Sequence, residues 1–283
     1  MTERISTVEG WLTELTAHVQ VGPKAVRVQT VLAAQPAFCS YATAAEVAER
    51  AEVNGATVVR FAQSLGYPGW PQFQAVLRET HLAHRFDPVG PSGLGGSLLA
   101  DALAKDRQNL TTLEHTLDME TVNELVRTVR SARRTLVVGA GTHGAPAAAL
   151  ADIAASRGLP IVYEDRGGGP HLAMALAGLG PEDCVIGWSF WQHYRQTVDA
   201  LRIARRSGVP TFAVTDTGQS PAAEHADHVL LVPTEGVGGL QSMATALSLA
   251  QGIAAELAAH EPEASRTAAG RVDGVWQELC LFT

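Results

Sequence analysis

The chain has 283 residues, of which 46% are hydrophobic and 18% charged, and its net charge of −8 provides no general attraction to nucleic acid. This length and composition allow two domains of ordinary size. No long apolar run or signal-peptide pattern is present, which argues against a membrane or secreted protein. The three scattered cysteines form no disulfide or metal motif. We therefore expect a reduced, cytoplasmic protein.

The first 85 residues predict helices over residues 11–20, 24–35, 44–52, 55–65 and 70–84. Asn54 suits the N-cap of the fourth helix, because its side chain can accept hydrogen bonds from the free amides of the first turn. Apolar residues of that helix recur at intervals of three and four and leave Thr57, Arg60 and Ser64 on the opposite face. The third and fourth helices, with the turn between them, are typical of a DNA-binding helix-turn-helix. An ordinary helical hairpin is the alternative.

The charges are divided unevenly along the chain. Residues 1–85 hold seven basic and seven acidic side chains, whereas the remainder holds 14 basic and 22 acidic ones. A neutral N-terminal domain predicts weak non-specific affinity for DNA. Two copies of the domain would then be needed for useful affinity, so we expect a homodimer or homotetramer.

The second half of the chain predicts a different architecture. The Pro- and Gly-rich segment 86–96 is the predicted linker, and two helices follow it over residues 97–116 and 120–131. Short apolar runs then alternate with helices near 144–156, 171–179, 194–207, 220–225 and 238–260. The runs are Thr135–Gly139, Leu159–Tyr163, Cys184–Trp188, Thr211–Thr215 and His228–Val232. This alternation predicts an α/β domain with a five-stranded parallel sheet covered by helices on both faces.

The predicted domain limits follow from these elements. Residues 1–85 form an all-α helix-turn-helix domain, residues 86–96 a linker, residues 97–262 the α/β domain and residues 263–283 a C-terminal tail. Within the tail, Val275–Phe282 is expected to form a short helix.

A glycine-rich loop follows the first predicted strand. Gly139-Ala140-Gly141-Thr142-His143-Gly144 is a G-x-G-x-x-G sequence that opens a helix, and Glu164 and Asp165 follow the next strand. Glycines allow a backbone to approach an anion closely, and helix N-terminal amides point at it. The spacing fits a nicotinamide or flavin dinucleotide site, which remains an alternative.

The fourth helix and the segment after it read TVVRF at Thr57–Phe61, then LGY at Leu65–Tyr67, then Trp70 and Phe73. This order resembles the N-terminal domain of RpiR-type bacterial transcription regulators, in which a helix-turn-helix precedes a sugar isomerase (SIS) domain. The resemblance runs from about Val21 to about His81. It implies DNA contacts by Thr43, Asn54, Gly55, Ala56, Thr57, Arg60, Gln63 and Ser64. Family members usually carry basic residues at the last two of these positions, which implies fewer phosphate contacts here.

Three later segments resemble the SIS domain between about Leu98 and Leu257. They are CVIGWSFWQHYRQTVD at residues 184–199, TDTGQSPA at residues 215–222 followed by Ala226-Asp227, and VPTE at residues 232–235 before the last long helix. The resemblance implies that a small molecule, in the family usually a phosphosugar, binds at the carboxyl ends of the strands. The implied contact residues are Gly139, Gly141, Thr142, His143, Ser189, Trp191, His193, Thr197 and Glu235.

The chain departs from the family pattern at two of these positions. His143 stands where the glycine loop of the family has serine, and Trp191 replaces the second hydroxyl of the S-x-S phosphate loop. A phosphate cradle without these hydroxyls loses two charge-assisted hydrogen bonds, each worth about 1.5–3 kcal/mol. We expect an aromatic or larger effector rather than a standard sugar phosphate. The alternative is that Trp191 and His193 fill the pocket and leave a ligand-free dimerisation scaffold.

SIS domains also occur in isomerases and lyases, which need a positioned general base. Glu235 with His143 or His193 is the candidate for that role, so an SIS-fold sugar-phosphate isomerase or lyase is the second hypothesis. No nucleophile elbow, phosphate-binding P-loop or metal-ligand spacing is present in the sequence, and we expect no cofactor and no metal. A DNA-binding domain in front favours a ligand-responsive transcription regulator, with operator DNA and a small carbohydrate-like or other effector as partners, and no enzyme activity.

Overall fold

The computed structural model describes residues 8–17, 19, 21–40, 42–84, 97–164 and 168–281. They divide into two compact units. One comprises residues up to Ala102 together with Gly236–Leu240, and the other comprises Leu103–Glu235 with Gln241 onwards. The predicted linker, residues 86–96, lies outside the described residues, so the predicted domain limits stay a prediction.

The first unit is all-helical. Its helices are α1 (Val8–Thr16), α2 (Pro23–Ala34), α3 (Pro36–Cys39), α4 (Ala44–Arg50), α5 (Gly55–Ser64), α6 (Trp70–His84) and the first turn of α7 (Leu98–Thr116). Proline begins α2 and α3, where its fixed φ suits the first helical turn and its missing N–H costs nothing. α5 packs against α2, α4 and α6.

An aromatic cluster around Phe73 forms the centre of this unit. The Phe73 side chain on α6 is fully buried, and its ring lies 5.7 Å from the ring of Trp11, 6.1 Å from Phe61, 5.2 Å from Tyr67 and 5.7 Å from Trp70. Stacked and edge-to-face pairs at these distances add to the hydrophobic stabilisation of the core. Phe73 therefore joins α1, α5 and the turn before α6 into one core.

The second unit is a three-layer α/β domain. After α7 come α8 (Met119–Ser131), β1 (Thr135–Gly139), a 3-10 helix (Gly141–His143), α9 (Gly144–Ser156), β2 (Ile161–Tyr163), α10 (Gly168–Ala177), β3 (Cys184–Trp188), α11 (Arg195–Arg206), β4 (Thr211–Thr215), α12 (Pro221–Glu224), β5 (His228–Leu231), α13 (Ala244–His260) and α14 (Pro262–Glu278). The sheet is parallel, in the order β2-β1-β3-β4-β5. α13 contacts α8 and α9, and α11 contacts α10 and α12, so the two sets form the outer layers. The predicted fold class is confirmed.

The helices near the two ends of the chain have other bounds than the sequence predicted. α14 covers 17 residues from Pro262, so the expected short helix over residues 275–282 is wrong. Pro262 at the first helical position and an alanine-rich sequence favour the longer helix. α1 begins at Val8, three residues before the predicted start, and the one-turn helix α3 was not predicted. Among the described residues no helix is both long enough and apolar enough to cross a membrane. The three cysteines are free thiols.

Candidate functional site

The helix pair α4–α5 is held by two side-chain caps. The Thr43 hydroxyl accepts a hydrogen bond from the Glu46 backbone at 3.3 Å, and the Glu46 carboxylate accepts one from the Thr43 backbone at 2.7 Å. Asn54 caps α5 by accepting from the backbone N–H of Thr57 at 2.9 Å, as the sequence predicted. Each cap satisfies amides that the first turn of a helix leaves free and fixes where that helix begins.

The exposed surface of α5 is narrower than its sequence predicts. Thr57 is only 7% exposed, because its hydroxyl turns inward and donates to the Asn54 side chain at 2.9 Å. It therefore does not share the exposed face of Arg60, and its contact with DNA stays a prediction. Ala56, Arg60, Gln63 and Ser64 are exposed and Gly55 is partly exposed.

Arg60 is the basic group of this exposed surface. The Ser64 hydroxyl donates to the carbonyl of Phe61 at 2.7 Å, and the Gln63 amide donates to the carbonyl of Pro68 at 3.4 Å. Among the described residues, Arg60 makes no ion pair with Glu46 or Glu49. Its guanidinium is thus available for a nucleic acid.

Three side chains of α6 fix the start of α4. The Trp70 indole donates to the carbonyl of Ala42 at 3.0 Å, Gln74 donates to the same carbonyl at 2.6 Å, and Arg78 donates to the carbonyl of Ser40 at 3.0 Å. These bonds satisfy carbonyls at the end of α3 and just before Thr43. They connect residues about 30 positions apart, so no local pattern in the sequence predicts them.

The glycine loop of the second unit is packed against two tyrosines. Gly141 has a φ of +56°, and a Cβ placed there would lie 2.5 Å from the hydroxyl of Tyr194. A Cβ at Gly144 would overlap the hydroxyl of Tyr163, which itself donates to the carbonyl of Gly139 at 3.0 Å. The close approach that these glycines permit is therefore used by two phenols of the chain itself.

His143 is buried at the start of α9. Its Nε2 lies 3.0 Å from the side-chain oxygen of Gln241, and its ring packs edge-on against Phe190 and Tyr194 at 5.4 Å and 5.3 Å. Burial lowers the pKa of the His143 imidazole, and the hydrogen bond that the ring donates to the Gln241 side-chain oxygen opposes part of this shift. The ring is therefore neutral at neutral pH and supplies hydrogen bonds rather than positive charge.

The loop after β3 is also bonded internally. The buried Ser189 hydroxyl lies 2.9 Å from Nδ1 of His193. Trp191, 7% exposed and with a φ of +49°, donates its backbone N–H to both carboxylate oxygens of Asp216, at 3.2 Å and 3.3 Å. Thr197 is fully buried in the first turn of α11. Ser189 and His193 are thus brought together, and Asp216, which follows β4 and was not among the predicted contact residues, binds the backbone of Trp191.

Glu235 is bound to α7. Its carboxylate pairs with the Lys105 ammonium at 2.5 Å, and its carbonyl accepts a hydrogen bond from the buried Asn109 side chain at 2.7 Å. An antiparallel bridge joins Glu235 to Gln241, the partner of His143. The Glu235 carboxylate and backbone are thus both engaged by side chains of α7.

Thr142 and Asp165 are further positions that the sequence predicted. Thr142 is exposed beside the glycine loop. Asp165, one of the two acids of the dinucleotide alternative, lies outside the described residues. Among the residues that the structure describes, no group of three metal-ligating side chains is close enough to hold an ion.

A helix-turn-helix unit followed by a three-layer α/β unit with a parallel sheet defines a class of transcription regulators with a ligand-binding domain. The family model of the rpiR-type helix-turn-helix domain matches residues 20–84, and the SIS domain model matches residues 128–261. The chain belongs to the RpiR family of helix-turn-helix transcription regulators with a C-terminal SIS domain. The SIS match decides against the dinucleotide alternative.

Individual relatives agree with this assignment. The sugar isomerase domain of an RpiR transcription factor from Sphaerobacter thermophilus is 35% identical, with a TM-score of 0.60 over 62% of this chain and 98% of that one. The Vibrio vulnificus NanR protein complexed with ManNAc-6P is 18% identical, with a TM-score of 0.69 over 96% of this chain and 99% of that one, which shows a shared fold. An uncharacterized HTH-type transcriptional regulator of Haemophilus influenzae is 27% identical over 217 residues, 72% of this chain and 73% of the relative.

Proposed function

We propose that this regulator binds operator DNA through α5 and that a small molecule in the crevice at the strand ends changes its affinity for DNA. The observation that carries the proposal is the exposed Arg60 on a helix that is capped at its start and packed against α2, α4 and α6. A rigid helix with a free guanidinium suits the major groove, where arginine binds guanine edges or phosphates. As a DNA-binding protein it would act in the cytoplasm.

The proposed DNA contacts keep the set that the family resemblance implies, with Arg60 at the centre. Thr43 and Asn54 support them mainly as helix caps, while Gly55, Ala56, Gln63 and Ser64 lie on or beside the exposed surface. Thr57 would reach DNA only by giving up its bond to Asn54. Helix N-termini such as those of α4 and α5 suit phosphate oxygens.

The proposed effector site lies between the glycine loop and the loop after β3. The ring of Tyr194, 44% exposed, is the accessible aromatic face there, whereas Trp191 is buried. The NanR relative is known in complex with ManNAc-6P, which supports a small molecule in an SIS domain. His143 and Trp191 in place of hydroxyls point to an effector other than a standard hexose phosphate. The other proposed contacts are Gly139, Gly141, Thr142, Ser189, His193, Thr197 and Glu235, the last acting through its bonds to α7.

The test begins with selection of DNA. Genomic fragments that bind the full-length protein are enriched, and the affinity of a selected duplex is compared with that of a shuffled duplex of equal length at the same salt concentration. We expect the selected duplex to bind at least 1,000-fold more tightly, in line with the usual ratio of specific to non-specific binding of about 10³–10⁷. Metabolites are then screened for those that change this affinity. Equal binding to both duplexes would contradict a regulatory role.

We also propose that the protein is a homodimer or homotetramer formed through its α/β domain. Leucines at positions 99, 103 and 110 of α7 are exposed by 70%, 61% and 39%, which is more apolar surface than a monomer needs to show. A helix-turn-helix that binds a palindrome requires two copies. Sedimentation at micromolar concentration is expected to give a species of at least twice the 29.9 kDa chain mass. A purely monomeric boundary would exclude this proposal.

A further inference from the structure

We propose that the anion subsite of the crevice is filled by the protein's own Asp216 carboxylate, so that the crevice binds an uncharged polyhydroxylated ligand and excludes phosphorylated ones. This inference rests on the proposed function, in which the crevice holds the effector. It assigns to Asp216 a specificity-determining role and gives the effector a chemical class.

The Asp216 carboxylate lies at the loop after β3, which resembles the phosphate loop of SIS domains. Here the Trp191 amide donates to both oxygens of Asp216, at 3.2 Å and 3.3 Å. The left-handed backbone conformation of Trp191 is uncommon for a large side chain. A phosphate would have to displace this carboxylate or lie beside it, and two anions in a partly buried site repel each other strongly.

The glycine loop offers no replacement subsite for a phosphate. The hydroxyl of Tyr194 occupies the space above Gly141, and that of Tyr163 occupies the space above Gly144. Glycines that would let a phosphate approach the backbone instead let two phenols approach it. The sequence predicts two anion-binding features, the glycine loop and the loop after β3. Side chains of the protein itself therefore occupy both of them.

The charged groups next to the crevice also bear on the ligand. Among the described residues, Lys105, Arg195 and His143 lie in or next to the segments that form it, and the contacts of each are known. The Lys105 ammonium is paired with Glu235, and the Arg195 side chain is 95% exposed and lies 3.4 Å from Asp199. Burial lowers the pKa of His143, so its imidazole is neutral.

Unpaired polar atoms at the strand ends indicate the class of ligand. Several buried polar atoms at the strand ends lack a hydrogen-bond partner: the hydroxyls of Thr197 and Thr234, Nδ1 of His143 and the side-chain nitrogen of Gln241. All of them are uncharged, and together they comprise donors and acceptors. Buried polar groups normally find partners, so a ligand that supplies several neutral hydroxyls would complete them. This chemistry fits an unphosphorylated sugar or a similar polyol.

The test compares the wild-type protein with Asp216→Ala and Asp216→Asn. Asp152→Ala serves as the control because it removes an exposed carboxylate of α9 and so changes the net charge equally. Inorganic phosphate is titrated by calorimetry at constant ionic strength. We expect phosphate to bind Asp216→Ala at least tenfold more tightly than the wild type and Asp152→Ala. Asp216→Asn keeps an acceptor for the Trp191 amide, so it remains informative if the alanine variant fails to fold.

A second arm uses matched pairs of sugars with and without a phosphate group, including glucose and glucose 6-phosphate. The wild type is expected to prefer the unphosphorylated member, and both Asp216 variants to shift toward the phosphorylated one by at least tenfold. Phosphate affinity that is unchanged in both variants, or a wild type that binds a sugar phosphate more than tenfold better than its sugar, would overturn the inference. In the latter case the regulatory function stands. Failure of that function is recognised separately, by the absence of specific DNA binding.

Discussion

Replacing Phe73 with alanine is expected to abolish operator binding by unfolding the helix-turn-helix unit. Removing a fully buried aromatic ring typically costs about 3–5 kcal/mol, because the remaining cavity is only partly closed. Phe73 packs against four aromatic rings from α1, α5, α6 and the turn before α6, so its loss removes a main contact between α5 and α6. The free energy of unfolding of a small domain is about 5–15 kcal/mol, so the substitution removes a large part or all of it.

Hydrogen exchange followed by mass spectrometry measures this effect in each unit separately. Amides of α2, α5 and α6 should exchange faster in Phe73→Ala, while those of β1, β3 and β4 should keep their protection. Phe73→Leu is the matched control, because it preserves most of the buried volume and should retain operator binding. If Phe73→Ala bound operator as tightly as the parent, with unchanged exchange in α5, the aromatic cluster would not be what holds this unit together.

The central strands could be predicted to the residue, and their burial explains why. β1, β3 and β4 are buried at every position, and an unbroken apolar run bounded by polar or turn residues marks such a strand clearly. The edge strands β2 and β5 are partly exposed, and their predicted ends were off by one or two residues. The Asn54 cap could also be predicted, because a capping side chain binds a backbone N–H only a few residues away in the sequence.

The occupants of the crevice could not be predicted, because long-range packing decides them. A glycine loop has the same local sequence whether a phosphate or a tyrosine of the same chain lies above it. Tyr194 is 53 residues from Gly141, and Asn109 is 126 residues from the Glu235 carbonyl that it binds. A helical wheel also placed Thr57 outward, but a single hydrogen bond to Asn54 turned its hydroxyl inward. Sequence periodicity predicts which residues lie on the exposed face of a helix. It does not predict which hydrogen-bond partner a polar side chain on that face will take.

Replacing Arg60 with alanine is expected to weaken operator binding without unfolding the protein. An arginine that binds a base bidentately contributes about 1–3 kcal/mol of discrimination, which corresponds to a loss of affinity of about 5- to 150-fold. Arg60 is exposed, and among the described residues it forms no ion pair with Glu46 or Glu49, so its removal leaves no buried group unsatisfied. The melting temperature should therefore stay close to that of the parent.

Fluorescence anisotropy with the selected duplex measures this loss, and Arg206→Ala is the control because it removes an exposed arginine from α11. The salt dependence distinguishes the two ways in which Arg60 can bind DNA. If its guanidinium contacts a phosphate, all sequences lose affinity equally and the slope of log K against log salt falls by about 1. If it contacts a base, the loss is confined to duplexes that carry that base and the slope changes little. Equal operator affinity in Arg60→Ala, Arg206→Ala and the parent would remove the Arg60 side chain, the one basic side chain of α5, from the DNA interface.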